Sequence, residues 1–374
     1  MQHMIPSSTS GSDICMRKSN FIFLLFFFLF MFTPVPVYFL FREQIGYKNT
    51  ENKAAEEFPG LDRTNYSTWH RRFEEWLSDN LPFKTQFIEL FRGFQYLAGL
   101  DYTQSDVIRG DDGFLFYRKT IDNYKGITRF TDEELSEIEN NLSYFFSEME
   151  TKGIRCLLYI APDKEQIYPE KMPGNIRRVS ETSRGDQLTE YLKEHTSFPV
   201  LYPKDELRNI SRKIPVYFST DTHWNFLGGW AAAQQIRSAF SGTEEVFHEP
   251  RYFRYNEKGK DLAGMLCLED LLPEVNAADV EFQNGLTINK VKTENYGKIQ
   301  RFTTAGQADE RNKKLMIIGD SFSEYYLHSA GHDVKDIVFI TYGNMYLIDI
   351  ETEKPDYLVV MLVERNLPFL LLEF

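Results

Sequence analysis

Lys314-Leu-Met-Ile-Ile-Gly-Asp-Ser-Phe-Ser323, continuing as Glu-Tyr-Tyr-Leu327, is a short apolar run that ends in Gly-Asp-Ser and passes directly into a helix-like segment. A continuous apolar run of this length, bounded by turn residues, reads as a strand buried on both faces. Four further runs have the same character: 156–160, 200–202, 336–340 and 357–363. They alternate with helical segments such as 132–151, which predicts an α/β domain built on a mostly parallel sheet. Ligands of such sheets sit beyond the carboxyl ends of the strands, so the loop at Gly319–Ser321 becomes a place to look for chemistry.

Outward from this core the sequence is less uniform. Residues 107–117 form two apolar runs around Gly110, Asp112 and Gly113, a hairpin signal. Trp69, Phe73, Trp76 and Leu77, then Phe87, Ile88, Leu90, Phe91, Phe94 and Leu97, recur at helical spacing on either side of Asn80-Leu-Pro82, so two amphipathic helices are expected. The stretch 241–312 is polar and aperiodic and reads as a long insertion over the sheet. No internal repeat is present.

The 374 residues carry a net charge of −13, with no basic cluster to offset it, which argues against a nucleic-acid partner. At 42% hydrophobic and 15% aromatic the chain can fill a large core. Residues 21–41 are uncharged over about the 20 residues that span hydrocarbon, follow Arg17 and Lys18, and lack a small-residue cleavage site; they read as an uncleaved membrane anchor rather than a cleaved signal. The expected organisation is a tail (1–20), an anchor (21–41), a linker (42–60) and one domain (61–374), the last on the extracytoplasmic side. Cys15, Cys156 and Cys267 match no metal spacing and no disulfide framework, and pairing of Cys156 with Cys267 is left open.

Ser321 stands on the strand-to-helix turn, where a hydroxyl projects beside the N–H groups of a new helix; this is a nucleophile's position and equally a helix N-cap. About 100 positions earlier, Tyr217-Phe-Ser-Thr-Asp-Thr-His-Trp224 sets Asp221 two residues before His223. Asp-x-His serves a metal site, an acid-oriented general base, or a helix start. The other histidines form no array of metal-ligand spacing, so no metal is expected, and a serine needs the base and orienting acid that this pair supplies. Arg365, with Glu364 to orient it, is a candidate to hold an oxyanion or a substrate oxygen, or the two are a structural ion pair. Asp261 reads as a cleft wall or a helix cap. Trp224, Trp230, Tyr325 and Tyr326 read as core or as sugar-stacking rings.

Gly319-Asp-Ser321, Asp221-Thr-His-Trp224, and the stretches 107–117, 161–173 and 355–366 occur in an order that resembles the AlgJ/AlgX-type SGNH-hydrolase-like proteins, also called the DHHW family. The resemblance implies a flavodoxin-like, three-layer SGNH domain, circularly permuted so that the acid–base pair precedes the serine. It implies a polysaccharide O-acetyltransferase with a Ser321–His223–Asp221 triad, no cofactor, and a multi-spanning MBOAT-type protein that delivers acetyl groups across the membrane. A carbohydrate acetylesterase, and a non-catalytic carbohydrate-binding or assembly protein, are the alternatives. Where ordinary SGNH enzymes carry a Gly-x-Asn-Asp block this chain has Glu364-Arg365-Asn366, with Gly343 as a further oxyanion candidate and Asp320 beside the nucleophile.

Overall fold

A computed structural model describes residues 21–29, 32–33, 36–37, 40, 59–60, 66–79, 83–100, 105–242, 247–281, 287–305, 313–330 and 334–372. The chain forms two compact units, Met1–Leu100 and Asp101–Phe374.

In the first unit, 21–29 is helical, and the rest of the expected anchor falls largely outside the described residues. Among those described, no helix is long and apolar enough to cross a membrane. The two expected amphipathic helices are present as α1 (Tyr66–Asp79) and α2 (Lys84–Leu97). On α1, Trp69 stacks on Phe73 with ring centroids 4.9 Å apart, and the Trp69 indole N–H donates to the Pro59 carbonyl at 2.9 Å.

The second unit is built on a seven-stranded mixed sheet of β3 (Arg155–Ala161), β4 (Val200–Leu201), β7 (Thr287–Glu294), β8 (Ile299–Ala305), β9 (Lys314–Gly319), β10 (Asp336–Thr341) and β11 (Tyr357–Val363). Its order is β4-β3-β11-β9-β10-β8-β7. The five strands read from sequence pair in parallel, with Met316 opposite Leu358 and Met361 opposite Gly319 between β9 and β11. Alternate residues of one strand feed two separate cores: Leu157, Tyr159 and Ala161 on one face of β3, Cys156, Leu158 and Ile160 on the other. That two-sided burial is why these strands read as unbroken apolar runs.

Helices cover both faces, giving three layers. α3 (Asp132–Thr151) is started by a capping box between Thr131 and Glu134 and buries Leu135, Ile138, Leu142, Phe146 and Met149 at helical spacing. α4 (Arg184–His195) joins it on that face through Leu188 and Leu192. The opposite face holds α5 (Phe226–Ser241) and α6 (Ser323–Ala330).

The hairpin at 107–117 is present as β1 (Val107–Arg109) and β2 (Leu115–Tyr117), paired antiparallel. The stretch 241–312 departs from expectation: besides a small pair, β5 (Tyr252–Arg254) with β6 (Ala278–Val280), it supplies β7 and β8, which extend the main sheet, β8 antiparallel to β10 and β7 antiparallel to β8. β7 is an edge strand with most of its residues exposed, so its main-chain hydrogen bonds hold it without the apolar periodicity that marks a half-buried strand. No disulfide joins Cys156 to Cys267. Burial pushes the Cys156 thiol up to about 12.

Candidate active site

Ser321 follows β9 at the carboxyl edge of the sheet, and α6 begins two residues later. Asp320 shapes this turn. One of its carboxylate oxygens accepts the Phe322 N–H at 3.0 Å, and the other accepts the Val363 N–H and the Asn366 side-chain amide, both at 2.8 Å. Asp320 is therefore committed to tying the end of β9 to the end of β11, and Asn366 to holding Asp320.

Asp221 and His223 lie on the turn before α5, whose N-terminus is capped by Asn225. The turn closes back through a bridge between Tyr217 and Trp224, and the buried Trp224 indole N–H donates to the Phe322 carbonyl at 2.9 Å. This contact joins the turn that carries His223 to the turn that carries Ser321. Gly229 on α5 packs so closely on the Tyr325 carbonyl of α6 that a β-carbon there would collide with main-chain atoms. The two helices thus approach along a glycine, and their first turns stand side by side.

The outcome is a linear chain of hydrogen bonds. His223 Nε2 is 2.7 Å from Ser321 Oγ, and His223 Nδ1 is 2.7 Å from Asp221 Oδ1. The same Asp221 oxygen accepts the His223 main-chain N–H at 3.0 Å, so the acid fixes both the ring and the backbone of the base. An ionised acid on Nδ1 leaves Nε2 as the acceptor facing the serine hydroxyl. Burial pushes the Asp221 carboxyl up, but the hydrogen bonds and charge of His223 outweigh it and bring it down to about 2.

Asp261 is the second acid here. It does not cap its own short helix: Oδ1 accepts the Thr222 N–H and Oδ2 the Thr222 hydroxyl, both at 3.0 Å. Partial burial, then the negative charge of Asp221, push its carboxyl up to about 6. Among the described residues, Asp221, His223 and Asp261 are the group whose ligand atoms lie within 4.8 Å of one another. A cation there would have to take Asp221 or a ring nitrogen away from a partner already at 2.7 Å.

Arg365 points back to this site from the end of β11. Its Nη1 donates to Asp163 at 2.7 Å, its Nη2 reaches Thr222 Oγ1 at 3.4 Å, and its guanidinium lies over the Phe322 ring, 5.1 Å from the centroid. The acid that holds Arg365 is Asp163, not Glu364. Glu364 is fully buried and accepts from Asn123, Tyr202 and the Gly185 N–H at 2.8, 2.8 and 3.1 Å, a structural role that pins the loops beneath the site. Gly343 has a positive φ of 76° in the exposed turn after β10 and is not among the residues lining the cavity beside Ser321.

That cavity has a volume of about 640 Å³. Ser321, Phe218, Tyr255, Lys260 and Tyr325 line it, and β7 and β8 contribute Lys290 and Phe302. Of the four rings read as core or sugar contact, Trp224 and Tyr326 are buried and Tyr325 faces the cavity. Sequence reading missed Asp163, Lys164 and Glu274. The first two sit in the quoted 161–173 stretch, where a charged Asp-Lys pair at a strand's end was a usable signal; Glu274, in the aperiodic stretch, offered none.

The family model for the SGNH hydrolase-like domain of the acetyltransferase AlgX matches residues 107–331. A protein of Pseudomonas aeruginosa named "Probable alginate O-acetylase AlgJ" is 27% identical over 218 residues, which cover 52% of this chain and 51% of that one. Its namesake in Pseudomonas syringae pv. tomato is 22% identical over 188 residues, covering 50% and 46%. The chain thus spans about half the length of the curated relatives it matches. The solved O-acetyltransferase domain of Pseudomonas putida AlgJ has a TM-score of 0.45 and 19% identity, covering 70% of this chain and 92% of that domain. With more than half of its length inside the one family model, and with the α/β fold that family's name describes, this chain belongs to the AlgX-type SGNH hydrolase-like acetyltransferase-domain family.

Proposed function

We propose that this protein is an O-acetyltransferase that passes acetyl groups to polysaccharide hydroxyls through an acetyl-Ser321 intermediate. The observation that carries the reading is the hydrogen-bonded line Ser321 Oγ, His223 Nε2, His223 Nδ1, Asp221 Oδ1, with 2.7 Å at each link. The names of the relatives, alginate O-acetylases, supply the acyl group and the class of acceptor.

In this reading Ser321 Oγ attacks the acetyl carbonyl while His223 Nε2 takes its proton. The tetrahedral oxyanion forms at the start of α6, where the Ser321 N–H and the helix N-terminus favour negative charge, with the Arg365 guanidinium nearby. Collapse breaks the bond to the donor's leaving group, which receives the proton from His223. A sugar hydroxyl in the cavity then gives its proton to His223 and attacks the acetyl-serine, and collapse returns that proton to Ser321 Oγ. Asp221 stays ionised throughout and stabilises the imidazolium. No step calls for a metal or nucleotide. The order of the residues, base before nucleophile, is that of a circularly permuted SGNH domain.

The same reading places the domain outside the cytoplasm, held by the apolar segment 21–41 near an MBOAT-type membrane protein that delivers acetyl groups. Acetyl-CoA is cytoplasmic, so an extracytoplasmic transferase needs such a supply. To test the function, the full chain is incubated with p-nitrophenyl acetate and de-O-acetylated polyuronate, and the polymer is examined by NMR for acetyl esters. Esters formed by wild type and not by Ser321→Ala are expected. Ser321-dependent release of acetate that no acceptor diverts would make the protein an acetylesterase, and wild type matching Ser321→Ala would leave a binding protein.

A further inference from the structure

The turn carrying Asp221 and His223 has several of its main-chain groups held by residues far away in the chain. Lys164, 2% exposed, directs its ammonium at three carbonyls: Phe218 at 3.3 Å, Ser219 at 3.1 Å and Asp221 at 2.6 Å. Glu274, fully buried, accepts the N–H groups of Ser219 at 2.8 Å and Thr220 at 2.7 Å, together with both hydroxyls. The remaining Thr220 carbonyl takes the N–H of Leu262 at 3.0 Å, and the Thr222 N–H goes to Asp261. A buried cation thus satisfies three of the carbonyls, and a buried anion two of the amides.

Burying a lysine and a glutamate that do not form an ion pair with each other is costly, and side chains of this kind are rarely fully enclosed without a partner. Burial pushes Lys164 down to about 8, with the charges of Glu274 and Asp221 pulling the other way. A tight turn with apolar support would fold at lower cost. The charges gain a turn most of whose backbone dipoles are spoken for, which narrows the conformations open to Asp221 and His223.

We propose that Lys164 and Glu274 are positioning residues for catalysis: one grips the carbonyls of Phe218, Ser219 and Asp221 and the other the amides of Ser219 and Thr220, and together they hold Asp221 and His223 in register with Ser321. The proposal rests on the acyl-transfer reading of those three residues. Neither side chain touches the reacting atoms. Loss of either grip lets the turn relax, and displacement of His223 by about 1 Å from Ser321 lowers the rate by roughly 10²-fold.

The test uses the full chain with Lys164→Met, Glu274→Gln and the double variant. Turnover of p-nitrophenyl acetate per folded molecule is compared with amide hydrogen exchange at 219–223. Each single variant is expected to lower kcat by about 10²-fold with KM nearly unchanged, and the double to fall little further, because both act on one turn. Exchange at 219–223 should speed up while β3, β9 and β11 keep their protection. Glu274→Gln serves alone should Lys164→Met not fold. Unchanged exchange at 219–223, or a lowered Tm with unchanged kcat per folded molecule, would overturn the proposal. Turnover that Ser321→Ala leaves intact would instead sink the acyl-transfer reading, and exchange alone would then judge the grip.

Discussion

Gly229 sits against the main-chain carbonyl of Tyr325 with no room for a β-carbon between them. This contact sets how closely α5 approaches α6, and so how closely His223, just before one helix, meets Ser321, just before the other. Gly229→Ala should force the helices apart, costing about 1–3 kcal/mol of stability and roughly 10²-fold in Ser321 acetylation. Denaturant unfolding and labelling of Ser321 by an activated acetyl ester measure the two effects. Wild-type labelling in Gly229→Ala would show that this contact does not align the site.

Trp224 has a similar linking role by a different means. Its indole N–H is the partner of the buried Phe322 carbonyl at 2.9 Å, and Trp224→Phe leaves that carbonyl without it. A loss of about 1–3 kcal/mol is expected, read from the urea midpoint at unchanged m-value. A change below a few tenths of a kcal/mol would mean that the carbonyl finds another donor.

Asp221→Asn should lower the rate of Ser321 acetylation by 10³- to 10⁴-fold, roughly the loss expected when the acid no longer fixes the imidazole tautomer. It should also change acid stability. The carboxyl is held at about 2 in the folded chain against an ordinary 3.8, so it contributes stability that is complete above the ordinary value and is lost as pH falls through about 2. The contribution is of the order of 2 kcal/mol. Urea unfolding from pH 6 to pH 2 should therefore show a shallower acid decline in the variant, and identical slopes would contradict an Asp221 carboxylate held ionised by His223.

Asp261 predicts the opposite sign. Its folded-state carboxyl, raised from 3.8 to about 6, favours the protonated form, so the stability it contributes is present below about 3.8 and disappears as pH rises through about 6. Asp261→Asn should flatten the stability profile between those values. A profile with the wild-type slope in that interval would place the titration elsewhere.

Much of this was legible in the sequence. The five parallel strands showed as unbroken apolar runs because both faces of each are buried, and Ser321 and Asp221-Thr-His223 stood out because each motif is contiguous. β7 did not, because an edge strand held by its backbone carries no period in its side chains. Asp163 pairs with Arg365 across 202 positions, and Lys164 and Glu274 meet the turn from 54 to 57 positions away; single buried charges leave no pattern until the fold brings them together. The nearer neighbour, Glu364, was the natural partner to assign to Arg365, but its carboxylate is taken by four donors, Asn123, Tyr202 and the N–H groups of Asp163 and Gly185.

The most direct measurement is peptide mass spectrometry of the full chain after brief exposure to p-nitrophenyl acetate and acid quenching. An acetyl group is expected on Ser321 in wild type, much less in His223→Ala, and none at that position in Ser321→Ala. Acetylation that leaves Ser321 unmodified, or equal labelling of Ser321 in wild type and His223→Ala, would contradict this expectation.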